Sequence, residues 1–334
     1  MNIDNIDALI HQIENLYLAG ELAQAHQLSI DGISAGFDRA LMLDWVVRLR
    51  GELQGKQQLE ALQKANARLK LNNQIAAQQY IQQLLAEPKY ADPLRLERHG
   101  QKISSQNDED GIVLEIFRRI GTTNKRFVEI GVGNGFENNT YALLQQGWSG
   151  TWVEAHVKKS AFIMRTFVEQ ITAGQLEIIN SFVRVDNVNQ LLQKYAEQPE
   201  IDLLSIDIDG NDYHVYDALT VVAPRVAIVE YNPKYPPPLS LAMAYDPNYA
   251  WSREKDCGAS LSAVTKLANA KGYDLVGCNI TGANAFFVRK DLAAGKFAQP
   301  ATAENFYHTA RYYLWEADGF PIGFPGNMQP KIEI

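Results

Sequence analysis

The stretch Phe127-Val128-Glu129-Ile130-Gly131-Val132-Gly133-Asn134-Gly135 decides how this 334-residue chain is read. A run of strand character meets three glycines at alternate positions, and helical spacing resumes at 140–146. Glycines in such a turn let the backbone approach a ligand at the carboxyl end of a sheet, where open α/β folds bind. The spacing is Gly-x-Gly-x-Gly, and Phe136 stands where a dinucleotide fingerprint places its third glycine. That favours an adenosyl group without a pyrophosphate. Glu129, an acid at the strand end, suits a cationic amino group. Glu154 ends the next strand at about the 20-residue interval where an acid takes ribose hydroxyls.

Outward from this turn the pattern alternates. Strands are expected at 127–130, 151–154, 176–179, 201–206 and 226–229, with helices at 140–146, 158–171, 188–195, 213–219 and 261–270. Strands separated by helices imply a parallel sheet with right-handed crossovers. Two further strands, 274–278 and 285–288, are joined by a segment too short for a helix, so they form an antiparallel hairpin. The expected fold is therefore α/β: a Rossmann-like, mostly parallel seven-stranded sheet closed by an antiparallel hairpin. Class I methyltransferases end their sheet this way, and ordinary dinucleotide-binding domains do not.

The flanks are of different character. Up to residue 85 the chain lacks proline, and apolar residues recur at helical spacing: Ile6, Leu9, Ile10, Ile13, Leu16, then Met42, Trp45, Val46, Leu49. Asp4 is placed to cap the first helix, 16–25 has the look of a tetratricopeptide-type hairpin turn, and 57–83 reads as a further polar helix. The domain reading is a helical docking or dimerisation region at 1–90, which gives a route to a homo-oligomer or a partner protein. A linker with a lead-in helix follows at 91–125, then the catalytic domain at 126–292 and a C-terminal helix and tail at 293–334. In that tail Trp315 belongs to the packing helix, and Pro321, Pro325 and Pro330 end it in irregular chain.

Composition excludes several function classes. Thirty-nine acidic against 31 basic residues give a net charge of −8, which disfavours nucleic acid and anionic membranes as partners. No segment approaches the roughly 18 apolar residues of a membrane span. The acidic start lacks the basic region of a signal peptide, and Cys257 and Cys278 lack metal or redox spacing, so a cytoplasmic protein with reduced thiols is expected.

Two acid-rich strand ends carry the chemistry. In Leu203-Leu204-Ser205-Ile206-Asp207-Ile208-Asp209-Gly210-Asn211-Asp212, alternation puts Asp207 and Asp209 on one side. They can line the cofactor, orient an acceptor hydroxyl or hold a divalent ion such as magnesium. Asp212 reads as the cap of the next helix. Glu230 and Asn232 end the neighbouring strand, so Asp207, Asp209, Glu230 and Asn232 make a hard-metal or general-base set. His214 is either a proton acceptor or a helix-face residue, and His156 borders the adenosine pocket. The long segment 235–257, with Tyr245, Tyr249 and Trp251, is a candidate acceptor lid whose aromatics either stack on a sugar or anchor the loop.

On these residues the chain resembles the FkbM-type methyltransferases found beside bacterial surface-glycan genes. The similar stretches are Ser105-Gln106-Asn107-Asp108-Glu109-Asp110-Gly111, the turn 129–140, Gly147-Trp148-Ser149-Gly150, the acids at 202–212, Glu230-Tyr231-Asn232-Pro233, Gly258-Ala259-Ser260-Leu261 and Gly282-Ala283-Asn284-Ala285-Phe286-Phe287. They span about residues 97 to 292. The resemblance implies S-adenosylmethionine as cofactor, met by Glu129, Gly131, Gly133, Asn134, Asn139, Glu154, Ser181 and Asp207, with Ser181 at the adenine. It also implies methylation of a hydroxyl on a glycan or related small acceptor, with Asp209, Glu230 or His214 taking the proton. The rivals are an NAD(P)-dependent sugar oxidoreductase, which the glycine spacing and the hairpin disfavour, and a catalytically silent helical scaffold.

Overall fold

The computed structural model describes residues 6–36, 39–251, 257–314 and 331–333. Asp4, Trp315 and the prolines of the tail lie outside them. Residues 1–75 and 76–334 form separate compact units.

In the first unit, helices Ile6–Leu18 and Leu22–Ser34 and the start of helix Arg39–Leu85 enclose Leu9, Ile13, Leu28, Met42 and Leu49. Gly32 admits this packing, because a Cβ there would lie 2.7 Å from Leu9 Cδ2. Arg39–Leu85 is one helix of 47 residues, where the sequence suggested two. Its middle is polar and free of proline, so nothing in the chain interrupts the backbone ladder. Its last turns belong to the second unit, where Ile81 and Leu84 pack with Tyr90, Ile280 and Leu314.

The second unit carries the sheet. Its strands are β1 (Arg126–Ile130), β2 (Ser149–Glu154), β3 (Leu176–Asn180), β4 (Glu200–Ile206), β5 (Ala223–Glu230), β7 (Tyr273–Cys278) and β8 (Asn284–Arg289), in the order β3-β2-β1-β4-β5-β8-β7. The pairs from β3 through β5 are parallel, and β8 runs antiparallel to both β5 and β7. This is the class I methyltransferase arrangement. Among the described residues two further strands, β6 (Leu241–Met243) and β9 (Lys331–Glu333), form a small antiparallel pair where the sequence suggests a loop and an irregular tail.

Period-2 alternation sorts the sheet into two cores. Val128, Ile130, Leu204, Ile206, Ala227 and Val229 meet helices Asp212–Ala218 and Leu261–Ala270 on one face. Phe127, Leu203, Val226, Ile228 and Phe286 meet helices Glu109–Ile120 and Val157–Thr166 on the other. The helix expected at 158–171 breaks at Phe167, whose ring fills the space beside Trp152 at a centroid separation of 5.1 Å.

At the amino edge of the sheet, buried Asp202 accepts hydrogen bonds from the N–H groups of Thr123, Asn124 and Lys125 and an ion pair from Arg225 at 2.7 Å. This fixes the entry into β1. From β1 the chain winds outward to β2 and β3, then returns to β4 on β1's other side. The carboxyl ends of β1 and β4 are thus the topological switch point, where open α/β sheets bind ligands.

Burial, reinforced by the charge of Glu109, lifts the Asp108 carboxyl to about 8. The folded chain then keeps a proton that the unfolded chain releases near pH 4. Folding stability should therefore fall as pH rises from about 4 to about 8 and flatten above. Asp108→Asn, which imitates the protonated form, should raise the melting temperature more at pH 8.5 than at pH 5. Equal gains at both values would contradict this account of Asp108.

Candidate active site

The glycine turn builds the floor of a cavity of about 530 Å³ at the switch point. Each glycine is needed for a different reason. At Gly131 (φ +89°) a Cβ would lie 1.7 Å from the Asp207 carbonyl oxygen, so only glycine lets β1 and β4 end this close together. Gly135 (φ +82°) sits against Trp152 and Phe167. Gly133 (φ +60°) has nothing within 4 Å of its Cβ position and lines the cavity, so its bareness leaves room for a ligand.

Two acids hold this turn from inside. Glu129 is 2% exposed, and its carboxylate accepts from Asn139 N (2.8 Å), Asn138 Nδ2 (2.8 Å), Thr140 N (3.0 Å) and Thr140 Oγ1 (2.5 Å). Burial raises its pKa while these donors oppose the rise. Glu129 thus shapes the turn as well as bordering the cavity. Glu154 lies on the wall, with one oxygen accepting from Gly133 N (2.8 Å) and the other from His156 N (2.7 Å). Asn134, Asn139 and Ser181 also line the cavity, and Phe182 and Val183 follow Ser181 there. His156 has another task. Its Nδ1 accepts from the N–H groups of Lys158 and Lys159, capping helix Val157–Thr166.

The acids at the other end regroup relative to the sequence reading. Carboxylate oxygens of Asp207, Asp212 and Glu230 lie within 4.8 Å of one another. Asp212 enters this group in place of Asp209 because its carboxylate turns back to accept from Ile208 N (2.7 Å) and Gly210 N (2.8 Å), so it clamps the strand-end turn instead of capping the helix. Asp209 adopts a left-handed φ of +58° on the cavity wall. Asn232 serves the loop that follows its strand. Its Nδ2 donates to the Cys257 carbonyl and its Oδ1 accepts from Lys234 N, so the side chain holds loop backbone. His214 is also drawn away, with Nε2 2.8 Å from the Met243 carbonyl, and it is not on the cavity wall. Burial and mutual repulsion raise Asp207 and Glu230 well above the usual carboxylate range. Burial, then the charge of Asp212, lifts Asp209 to about 6, with Lys159 opposing the rise.

The aromatic segment divides its roles. Tyr249 packs on Gly210, where a Cβ would lie 2.4 Å from the ring, and Tyr245 accepts a hydrogen bond from Val185 N. Both anchor the segment. Trp251, 39% exposed, faces the cavity together with Tyr249. Sequence reasoning missed Gln106, Asn138, Lys159 and Asn284 on the wall. Gln106 and Asn284 sit inside the stretches 105–111 and 282–287 that resemble the methyltransferase family, and nothing in the sequence marks Lys159.

No protein-family model matches the chain, and no curated protein matches it. Solved structures similar to it include magnesium protoporphyrin IX methyltransferase from Synechocystis PCC 6803 with bound S-adenosylmethionine, at 14% identity over 55% of this chain and 79% of that one (TM-score 0.37). The N-terminal domain of EvdMO1 with S-adenosylhomocysteine bound is 14% identical over 56% of this chain and 81% of that one (TM-score 0.36). A putative caffeoyl-CoA O-methyltransferase from Staphylococcus aureus is 15% identical over 54% of this chain and 82% of that one (TM-score 0.37). Likeness at this distance carries no functional assignment, and the reading of the cavity rests on its own geometry.

The glycines give a graded expectation. Gly131→Ala meets a carbonyl and should destabilise by about 4 kcal/mol or more, whereas Gly133→Ala bears only the left-handed backbone strain of about 1–2 kcal/mol. Urea denaturation of both variants checks the order, and equal losses would refute the close approach at Gly131.

Proposed function

We propose that this chain is an S-adenosylmethionine-dependent O-methyltransferase acting on a hydroxyl of a glycan or related small acceptor. The observation that carries the reading is the cavity's polarity along the strand ends. A ribose-binding acid, Glu154, and the half-apolar Ser181–Val183 wall lie at β2 and β3, a bare glycine floor at β1, and carboxylates at β4 and β5. The cavity fits the cofactor in its parts. Gly133 leaves open space above the turn, and Asn138 Oδ1, buried without a partner among the described residues, is an acceptor suited to the methionyl ammonium. Phe136, in place of a third glycine, and the antiparallel β8 speak against a dinucleotide.

When bound, the cofactor supplies an electrophilic methyl group on a sulfonium. The chain's own part is to orient and to move a proton. Methylation of an acceptor hydroxyl would release that hydroxyl's proton, and a carboxylate on this wall would take it. Asp209 is suited to take it, because a carboxyl raised to about 6 is ionised at neutral pH yet more basic than an ordinary one. Asp207 and Glu230 line the same wall, their carboxyls raised well above the usual range by burial and then by the neighbouring acids. Trp251, on the cavity wall, would help exclude water from the transfer.

Isothermal titration calorimetry with S-adenosylmethionine tests the reading. Wild type should bind, and Glu154→Gln should weaken binding about 10- to 100-fold, the equivalent of one or two charge-assisted hydrogen bonds. Unchanged affinity in the folded variant, or preference for NAD(P)H, would overturn it.

A second reading adds a divalent cation held by Asp207, Asp212 and Glu230, favoured by their 4.8 Å grouping. Exhaustive chelation should then abolish turnover and added magnesium restore it. Full turnover after chelation would leave proton transfer to Asp209 alone.

A further inference from the structure

The segment before β1, which reads from sequence as a linker, is one of the most constrained parts of the chain. The Asp110 carboxylate accepts from three consecutive N–H groups, of Ile103 (2.8 Å), Ser104 (2.6 Å) and Ser105 (2.8 Å), and from Ser105 Oγ (2.9 Å). The Glu109 carboxylate accepts from Asn107 N (2.8 Å) through one oxygen. Its other oxygen accepts from the Nδ2 atoms of Asn107 (3.0 Å), Asn279 (2.8 Å) and Asn284 (3.0 Å). Ser105 and residues 107–110 are buried, and Gln106 alone among them is exposed, on the cavity wall. A loop fixed on every side of one outward amide positions that amide.

The same carboxylate orients a second one. Asn284, at the start of β8 and in register with Glu230, is 4% exposed and also lines the cavity. Glu109 holds Asn284 by its Nδ2, which leaves Oδ1 as the other end of the amide. Oδ1 is buried with no hydrogen-bond partner among the described residues. A buried acceptor in that state is satisfied by a ligand that donates. In the sheet, β1, β4 and β5 separate Asn284 from Glu154. With the ribose at Glu154, Asn284 and Gln106 lie at the acceptor's end of the cavity.

We infer that Gln106 and Asn284 form an acceptor-binding subsite that recognises a second hydroxyl beside the one methylated, so that the acceptor is a neutral polyol such as a hexose unit. The inference rests on the methyltransferase reading above. The second hydroxyl donates to Asn284 Oδ1, and the Gln106 amide donates to or accepts from a hydroxyl next to it. The acid-lined wall beside them, which includes Asp209, disfavours an acceptor that carries phosphate or carboxylate there. Glu109 is a positioning residue that acts through Asn284.

The test uses the full chain saturated with S-adenosylhomocysteine and a set of methyl hexopyranosides, with their monodeoxy analogues, as probes. Calorimetry reads the S-adenosylhomocysteine affinity, and saturation-transfer NMR reads probe binding. Wild type should bind at least one hexopyranoside and bind a monodeoxy analogue at least fivefold more weakly. Gln106→Ala, at an exposed position that should not disturb folding, and Asn284→Ala should each weaken the probe at least fivefold. Both should leave S-adenosylhomocysteine affinity within twofold, and Glu109→Gln should imitate Asn284→Ala. Three results would overturn the subsite while leaving the methyltransferase reading intact: loss of S-adenosylhomocysteine affinity in Gln106→Ala, unchanged probe binding in that variant, or no probe bound by wild type. Failure of wild type to bind S-adenosylhomocysteine would overturn both.

Discussion

The close approach of Gly131 to the Asp207 carbonyl is the constraint on which the rest of the site depends. Two parallel strands normally diverge beyond their last shared hydrogen bonds. Here Asp207 N donates to the Ile130 carbonyl at 3.0 Å, and the absence of a Cβ at Gly131 lets the two chains stay together one residue further. The glycine turn and the acid-bearing turn then open on the same side, and the cavity lies between them. A side chain at position 131 would separate the binding floor from the acids.

Around that contact the chain spends carboxylates as structural acceptors. Glu129 gathers the amides of 138–140, Asp212 those of Ile208 and Gly210, Asp110 those of 103–105, and Asp202 those of 123–125. Each replaces a stretch of loop entropy with charge-assisted bonds, which are stronger than neutral ones. The turns at the rim of the sheet are fixed before any ligand arrives, which is the condition for electrostatic preorganisation. Burial first, and then the charge of neighbouring acids, raises the pKa values of Asp207, Asp209 and Glu230. Where the acids are not used up by backbone donors, they crowd one another at the cavity's polar end.

The sheet was legible in the sequence because its signals are local: short runs of strand character at 127–130 and 201–206, which the fold buries on both faces, glycines at a turn, and helices long enough for crossovers. The closing hairpin followed from the shortness of 279–284. The pairing of β6 with β9 was not legible, since three-residue strands from distant segments carry no periodicity. The site was legible to the level of strand ends and not to the level of side-chain direction. Glu154, Asp207, Asp209 and Glu230, read from the sequence as acids at strand ends, line the cavity. Asn232 and His214 share their strand end and helix but spend their polar atoms on the carbonyls of Cys257 and Met243. Which partner a side chain finds across 25 or more residues depends on how loops fold back, and single-residue patterns do not encode that. Asn284 escaped for the same reason: the carboxylate that orients it lies far from it in sequence, at Glu109.

The central claim is that the cavity holds an adenosyl cofactor in one direction, with ribose at β2 and the reactive end toward β4 and β5. A crystal structure of the chain with S-adenosylhomocysteine measures this directly. The account predicts both ribose hydroxyls on the Glu154 carboxylate, the adenine beside Ser181 and Phe182, and the sulfur facing Asp209. Adenine at the Glu230 end, or a ligand bound outside the glycine turn, would contradict it.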